Sequence, residues 1–180
     1  MRGRRYLAAD LHLGDENVLE FTDRPFPSVA AMNERLLENW NAVVDPNDEV
    51  LFVGDLVVPS EPATVRRWLQ QLNGKFVFVA GDHDDGARQT PGVTTQPEYR
   101  FEAGGYRFQC VHHPDDAPAE RDGWLVHGHH HDLRTERFPF VDPEARRVNV
   151  SIELLGYEPI PLEELLGYLD RGERLRTRPA

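Results

Sequence analysis

A single cysteine, Cys110, stands among 180 residues, so an internal disulfide is excluded and nothing in the cysteine usage calls for an oxidising compartment. Between Phe108-Gln109 and Val111 it reads as a buried strand thiol, not a nucleophile. Long hydrophobic runs are missing too, and no stretch approaches membrane-spanning length. Met1-Arg2-Gly3-Arg4-Arg5 leads into only four largely apolar residues before Asp10, too few for the core of a secretory leader. The expectation is a cytoplasmic protein without a membrane partner. Positive charge is scarce as well: 20 Lys and Arg face 31 Asp and Glu, a net charge of −11 that opposes broad adhesion to nucleic acid. Outside Arg2 to Arg5 and Arg171 to Arg178 there is no basic track, so no extended nucleic-acid surface is expected. Repeats, low-complexity segments and composition breaks are also lacking, which predicts one domain over 1–180 with flexible ends at 1–5 and 172–180.

What is present is an alternation of short apolar runs with helical patterns, the mark of an α/β domain. Tyr6-Leu7-Ala8-Ala9, Leu51-Phe52-Val53 and Phe76 to Ala80 read as buried strands, each followed within a few residues by an acid. Val29, Met32, Leu36, Trp40 and Val43 recur at helical spacing behind Ser28 as N-cap. Val65, Trp68, Leu69 and Leu72 form a second stripe with Ser60 as cap, and Leu162, Leu165, Leu166 and Leu169 a last one between Pro161 and Gly172. Arg100 to Ala103 and Tyr106 to Val111, joined by Gly104-Gly105, read as a hairpin; Trp124 to Val126 and Val148 to Ile152 are further strands. Trp40, Trp68 and the phenylalanines at 76 and 78 read as core.

All eight histidines lie in short tracts with acids or glycines: Asp10-Leu11-His12, Gly81-Asp82-His83-Asp84, His112-His113-Pro114 and His127-Gly128-His129-His130-His131, with Gly54-Asp55 adding a carboxylate. Imidazole and carboxylate together suit divalent zinc, manganese, iron or cobalt, and seven or more such ligands are too many for one ion. The count points to two. The acids stand where strands end, and open α/β sheets place their ligand sites at the C-terminal ends of strands.

Asp-x-His, Gly-Asp, Gly-Asp-His-Asp where the family pattern has Gly-Asn-His-Asp, a His before proline and Gly-His-x-His, in that order, make the chain resemble the calcineurin-like metallophosphoesterases. Gly14 with Asn17, Arg24-Pro25-Phe26, Glu38-Asn39-Trp40-Asn41, Leu72-Asn73-Gly74-Lys75 and the Asn149 to Leu165 segment are similar to a subgroup of small bacterial and phage phosphoesterases. The resemblance implies a sandwich of two mixed β-sheets flanked by helices, with the metal site at the C-terminal ends of strands. It implies two divalent metal ions, Mn²⁺ first, with Fe, Zn, Ni or Co as alternatives. Asp10, His12 and His131 would hold one, Asp55 would bridge, and Asp82, His112 and His129 would complete the second. A water ionised between them would attack a phosphodiester or phosphomonoester of a small molecule or nucleotide. His83 would protonate the leaving oxygen or steady the developing phosphorane charge, with Asp84 orienting its imidazole.

Two positions depart from the family pattern: Asp82 replaces Asn, and His113 stands where relatives carry an aromatic. The Asp adds a third carboxylate to the pair. Arg24 is expected either to bind phosphate or to pair with Asp23 or Glu20, and Asn17 either to support the site or to cap a turn. His113 either touches substrate or fills space. His127 and His130 read as residues behind the ligands or as an exposed pair. The loops 16–27, 84–98 and 115–123 are expected around the pocket mouth. A nuclease acting on nucleic-acid ends and a non-catalytic metal-binding relative share these residues. The absence of an evident basic pocket tilts the substrate towards a diester.

Overall fold

The computed structural model describes residues 3–118 and 120–180, so the part of the basic N-terminal tract carried by Met1 and Arg2 lies outside the described residues. Two five-stranded sheets face one another. In the first, β1 (Arg5–Ala8), β2 (Glu49–Phe52), β3 (Lys75–Val79) and β4 (Thr95–Gln96) run parallel, and β10 (Ile160–Pro161) joins β1 antiparallel. In the second, the order is β5 (Tyr99–Ala103), β6 (Tyr106–Cys110), β7 (Trp124–His127), β9 (Arg147–Asn149), β8 (Val141–Asp142), parallel from β6 through β9. The α/β class and the sandwich of two mixed sheets are as the sequence led one to expect.

The parallel strands are short continuous apolar runs because both of their faces are covered. Leu7, Ala8, Val50 and Phe52 are fully buried, and one apolar cluster draws from both sheets, from Phe52 to Val126 and Val148. Helix α2 (Val29–Val43) lays Met32, Leu36 and Trp40 into that cluster, each four residues from the next, and the Ser28 hydroxyl caps it by accepting from the Ala31 N–H at 3.2 Å. The Trp40 ring stacks on half-buried Phe76 at 5.5 Å, and its indole N–H donates to the Asn73 carbonyl at 2.9 Å. Helix α3 (Pro62–Leu69) starts behind Glu61, not Ser60, because Pro62 occupies its first turn; the Ser60 hydroxyl accepts instead from Gly86 in α4 (Asp85–Gln89). Helix α5 (Leu162–Arg171) ends on Gly172 at φ 64°, the left-handed stop expected there.

Residues 172–180, expected to be a loose end, are tied down. Leu175 exchanges backbone hydrogen bonds with Val141, and Arg178 forks onto Glu164 at 2.7 Å. The strand expected over Val148 to Ile152 stops at Asn149, and the chain then crosses to the first sheet: Val150 accepts from the Ala9 N–H and Ile152 donates to the Ala9 carbonyl. That splice sutures the two sheets at the residue before Asp10. Cys110 is fully buried, and burial pushes its thiol up to about 12. Among the described residues no helix is long and apolar enough to cross a membrane.

Replacing Trp40 by Ala is expected to cost about 3 to 5 kcal/mol in urea unfolding, the range for an emptied aromatic core site. Trp40→Phe, which keeps a ring but strands the Asn73 carbonyl, should cost about 1 to 3 kcal/mol. A cost near zero for Trp40→Phe would mean that the indole hydrogen bond contributes nothing.

Candidate metal centre

Register aligns the exits of the parallel strands. Ala8 pairs with Phe52, and Phe52 with Phe78, so Asp10, Asp55 and Asp82 leave the first sheet along one edge. The loops then zip together: Asp10 donates to Gly54, His12 to Asp55 and Leu13 to Leu56. In the second sheet Cys110 pairs with Val126, and Gly128 donates to His112, which brings the histidine tracts to the same edge. Five of the seven expected ligands adopt left-handed backbone: Asp10 (φ 60°), His12 (49°), Asp55 (61°), His129 (71°) and His131 (49°). Non-glycine residues rarely sit there, at a cost of about 1 kcal/mol or more each, and such conformations persist where surrounding structure over-determines them.

Three groups form. Ligand atoms of Asp10, His12 and His131 lie within 4.8 Å of one another, as do those of Asp82, His112 and His129, and those of Asp10, Asp55 and His112. The Asp55 Oδ2 lies 3.4 Å from His12 Nε2 and 3.2 Å from His112 Nε2, one oxygen between imidazoles of two triads. Motif glycines permit this density. A Cβ on Gly81 would sit 2.3 Å from the Asp55 carboxylate, one on Gly128 2.5 Å from Asp10, and one on Gly54 2.4 Å from the His112 ring.

Each inner imidazole is held from behind. His12 Nδ1 meets Asp15 at 2.9 Å, His131 Nδ1 meets Glu153 at 2.8 Å, and His112 Nδ1 meets the Val53 carbonyl at 2.8 Å. These acceptors fix the proton on Nδ1 and turn the Nε2 lone pair inward, the usual arrangement behind metal-ligating histidine. The Nε2 atoms of His12 and His112 are buried without a hydrogen-bond partner, a costly state for a polar atom unless it has a ligand. The residues present therefore fit divalent cations.

Electrostatics agrees. Burial alone would push His12 and His112 down, yet the Asp15 carboxylate accepting from His12 and the nearby negative charge of Asp55 and Asp10 raise His12 to about 9, and Asp55 and Asp10 raise His112 to about 10. Burial opposes ionisation of Asp55, but the two imidazoles hold it well below the usual carboxylate range. This field attracts positive charge, whether a proton or a metal. Glu153 is likewise opposed by burial but held at about 2 by Arg24 and His131.

Several sequence expectations need correction. Arg24 does not face a substrate. Its guanidinium is fully buried, donating to Glu153 Oε1 at 2.9 and 2.6 Å, to the Leu11 carbonyl at 2.8 Å and to the Asp10 carbonyl at 2.7 Å, with neither Asp23 nor Glu20 as partner. Asp84 does not orient His83. Its buried carboxylate accepts backbone N–H groups from Asp55, Leu56 and Gly81 at 2.7 to 3.1 Å, bracing two site loops. His83 itself is exposed at the rim, its ring 5.4 Å from His12 and its N–H donating to Asp55 Oδ1. His127 is wholly buried behind the ligands, and burial drives it down to about 3; half-buried His130 stacks on Phe138 at 4.0 Å. Asn17 is exposed at the start of α1 (Asn17–Phe21), its N–H donating to Asp15 Oδ1; His113 packs its ring 4.1 Å from His129. The Asp82 side chain is 56% exposed and meets His129 Nδ1 at 3.0 Å.

Sequence reasoning missed Asp15, Glu153 and Ser151. The Ser151 hydroxyl donates to Asp10 Oδ2 at 2.6 Å. Asp15, three residues after His12, was visible as an acid in a site loop; nothing local to Glu153 or Ser151 marks either as a partner of residues more than 20 positions away.

Two apposed mixed sheets with carboxylates and imidazoles gathered at strand ends define the class of metal-dependent phosphoesterases. The chain belongs to the calcineurin-like phosphoesterase family, whose model matches residues 4–172. It is 36% identical over 174 residues to an uncharacterized protein of Methanocaldococcus jannaschii, covering 96% of this chain and 94% of that protein. A protein of unknown function from Aquifex aeolicus shares the fold at TM-score 0.67 and 20% identity, covering 92% of this chain and 99% of that one. The phosphoesterase YfcE from E. coli resembles it more loosely, at TM-score 0.49 and 19% identity, covering 82% of this chain and 78% of that one.

Glu153→Gln is expected to cost about 3 to 5 kcal/mol, because it leaves the buried Arg24 charge uncompensated. The sign with pH follows from the depressed carboxylate: its stabilisation is full above the ordinary value of 4.5 and is lost as pH falls towards about 2. Urea midpoints of parent and variant should therefore converge below pH 4; a constant gap down to pH 2 would refute the ion pair. Loading the protein with Mn²⁺ or Zn²⁺ at pH 7 should release about two protons, from His12 and His112, as metal replaces them. Calorimetry in buffers of different ionisation enthalpy counts them, and zero release would show that both imidazoles are already neutral at pH 7 before metal binds.

Proposed function

We propose that this protein hydrolyses phosphodiester bonds of a small molecule or nucleotide with two divalent cations, manganese by first choice and iron, zinc, nickel or cobalt as alternatives. The observation that carries the reading is the Asp55 oxygen lying between imidazoles of two separate triads. In this reading Asp10, His12 and His131 hold one cation, Asp82, His112 and His129 the other, and Asp55 is shared. When bound, the pair neutralises phosphoryl charge and makes a water nucleophilic near neutral pH.

The chain's own residues do the rest. His83 stands in solvent beside His12, where an imidazole nitrogen can deliver a proton to the leaving oxygen. Its backbone N–H on Asp55 and the Asp84 brace under Gly81 hold that loop against the ligands. A diester carries one negative charge where a monoester carries two, and the arginine of the site pattern is spent on Glu153 and on the Asp10 loop. That commitment of Arg24 supports a diester. Asn17 and His113 are proposed substrate contacts, His113 through its place beside His129. One buried thiol with no disulfide partner supports a cytoplasmic setting.

With two dications, three aspartates leave a formal charge of about +1, where a family Asn at 82 would leave +2. Asp82 is therefore proposed to tighten the second site for hard metals and to lower its electrophilicity.

The test is a rate on bis-p-nitrophenyl phosphate with Mn²⁺. His83→Ala is expected to lower kcat by about 10² to 10⁴ with metal content unchanged, the scale of a lost proton donor. No hydrolysis of any phosphate ester by the parent protein under Mn²⁺, Zn²⁺, Ni²⁺, Co²⁺ or Fe²⁺ would end the reading. Asp82→Asn should shift the preference among Mn²⁺, Zn²⁺ and Ni²⁺; identical profiles would remove its special role.

A further inference from the structure

Among the described residues only two large apolar side chains stand substantially in solvent, Phe21 at 43% and Leu133 at 55% exposure. Scattered exposed apolar residues need no explanation, but these two are not scattered. Phe21 sets its ring edge-on to His131 at 5.4 Å and to His12 at 6.5 Å, the two imidazoles of the first triad. Leu133 follows His131 by two residues, on the turn where its N–H donates to the His130 carbonyl. Helix α1 holds Phe21 there: Val18 and Thr22 on either side in the sequence are buried, with the Thr22 hydroxyl and N–H both donating to the Val18 carbonyl. The segment is thus anchored through its neighbours while the phenylalanine ring is left uncovered beside the centre.

His83, also exposed, lies 5.4 Å from the same His12 ring that Phe21 approaches. A phosphate ester seated at the triads therefore has a proton donor and an apolar face within one ester's reach. An uncovered aromatic ring gains about 1 kcal/mol or somewhat more when a second flat ring stacks on it, and stacking demands no charge from the protein. In a chain of net charge −11 whose Arg24 faces inward, flat neutral surface offers recognition that does not depend on protein charge.

We infer that Phe21 is a specificity-determining residue and that the ester recognised carries a planar aromatic substituent, an aryl group or a nucleobase, packed against the Phe21 ring. The inference rests on the phosphoesterase reading of the triads, and it adds the substituent to that reading.

The test uses ligands that are not consumed. Phenylphosphonate and methylphosphonate are titrated into the Mn²⁺-loaded protein by calorimetry. The phenyl ligand is expected to bind about five- to tenfold tighter, the scale of one aromatic contact. That ratio should collapse to about one in Phe21→Ala and survive in Phe21→Trp. Because the ring also packs against His131 and His12, equal Mn²⁺ content in all three proteins is required to verify the centre before the ratios are compared. Uridine and phenyl esters sharing a p-nitrophenolate leaving group then separate the two sources: a larger Phe21→Ala loss in kcat/KM for the uridine ester assigns a nucleobase, a larger loss for the phenyl ester a simple aryl group. Equal binding of phenyl and methyl ligands by the parent, or a ratio unchanged in Phe21→Ala, overturns the inference while leaving the hydrolase intact. Failure of both phosphonates to bind, together with no ester hydrolysis, overturns the reading beneath it.

Discussion

Buried negative charge is the constraint from which the rest of this structure follows. Asp10, Asp55 and Glu153 are all almost fully withdrawn from water within one cluster at the joined ends of two sheets. Burying one such carboxylate alone costs several kcal/mol, so each must be answered by a positive partner or a set of donors. Glu153 is answered by Arg24 and His131, Asp55 by His12 and His112, and Asp10 by the Ser151 hydroxyl and the His129 N–H. The left-handed backbone at Asp10, His12, Asp55, His129 and His131 is tolerated because these bonds leave the loops no other path.

Arg24 shows how one side chain connects the levels. Its Nη atoms hold the carbonyls of Asp10 and Leu11, which shapes the loop presenting Asp10 and His12; the same guanidinium fixes Glu153, which aims His131. A bidentate fork suits that task better than a lysine would, since it reaches several acceptors in one plane. The three members of the first triad are thus positioned by one buried cation, although they come from residues 10, 12 and 131. The second group is built differently. Asp82 is largely exposed and His129 half-buried, and only His112 is enclosed, so this side is held more loosely and stands open to solvent.

The legible part of the architecture was whatever repeats locally. Met32, Leu36 and Trp40 announce α2 by spacing, and the Tyr6 to Ala9 and Phe76 to Ala80 runs announce buried parallel strands by being apolar on both faces. The Asp and His tracts were legible because metal chemistry needs those side chains at strand ends. What stayed hidden were roles set by tertiary distance. Arg24 read either as a phosphate ligand or as a partner of nearby Asp23 or Glu20; its actual partner Glu153 lies 129 residues away, beyond any periodicity. Asp84 looked like a partner for its neighbour His83, yet the turn after β3 points it inward to three backbone N–H groups, where a carboxylate does more for the loops than for a rim imidazole. Ser60 failed as a cap because Pro62 resets the helix start.

The inward direction of Arg24 bears on what the site can attract. An acidic chain repels phosphate esters at long range, and the guanidinium that would have offset this is committed to structure. Asp10, Asp55 and Asp82 add three more negative charges at the point of binding. In the proposed reading, attraction for an anionic ester comes from the cations, so binding and turnover are both conditional on loading the centre. The imidazoles reinforce that dependence: with His12 raised to about 9 and His112 to about 10, protons compete for the same positions at neutral pH and below. A single field thus favours metal and, in the proposed reading, disfavours excess substrate charge and leaves uncharged surface such as the Phe21 ring to discriminate among esters.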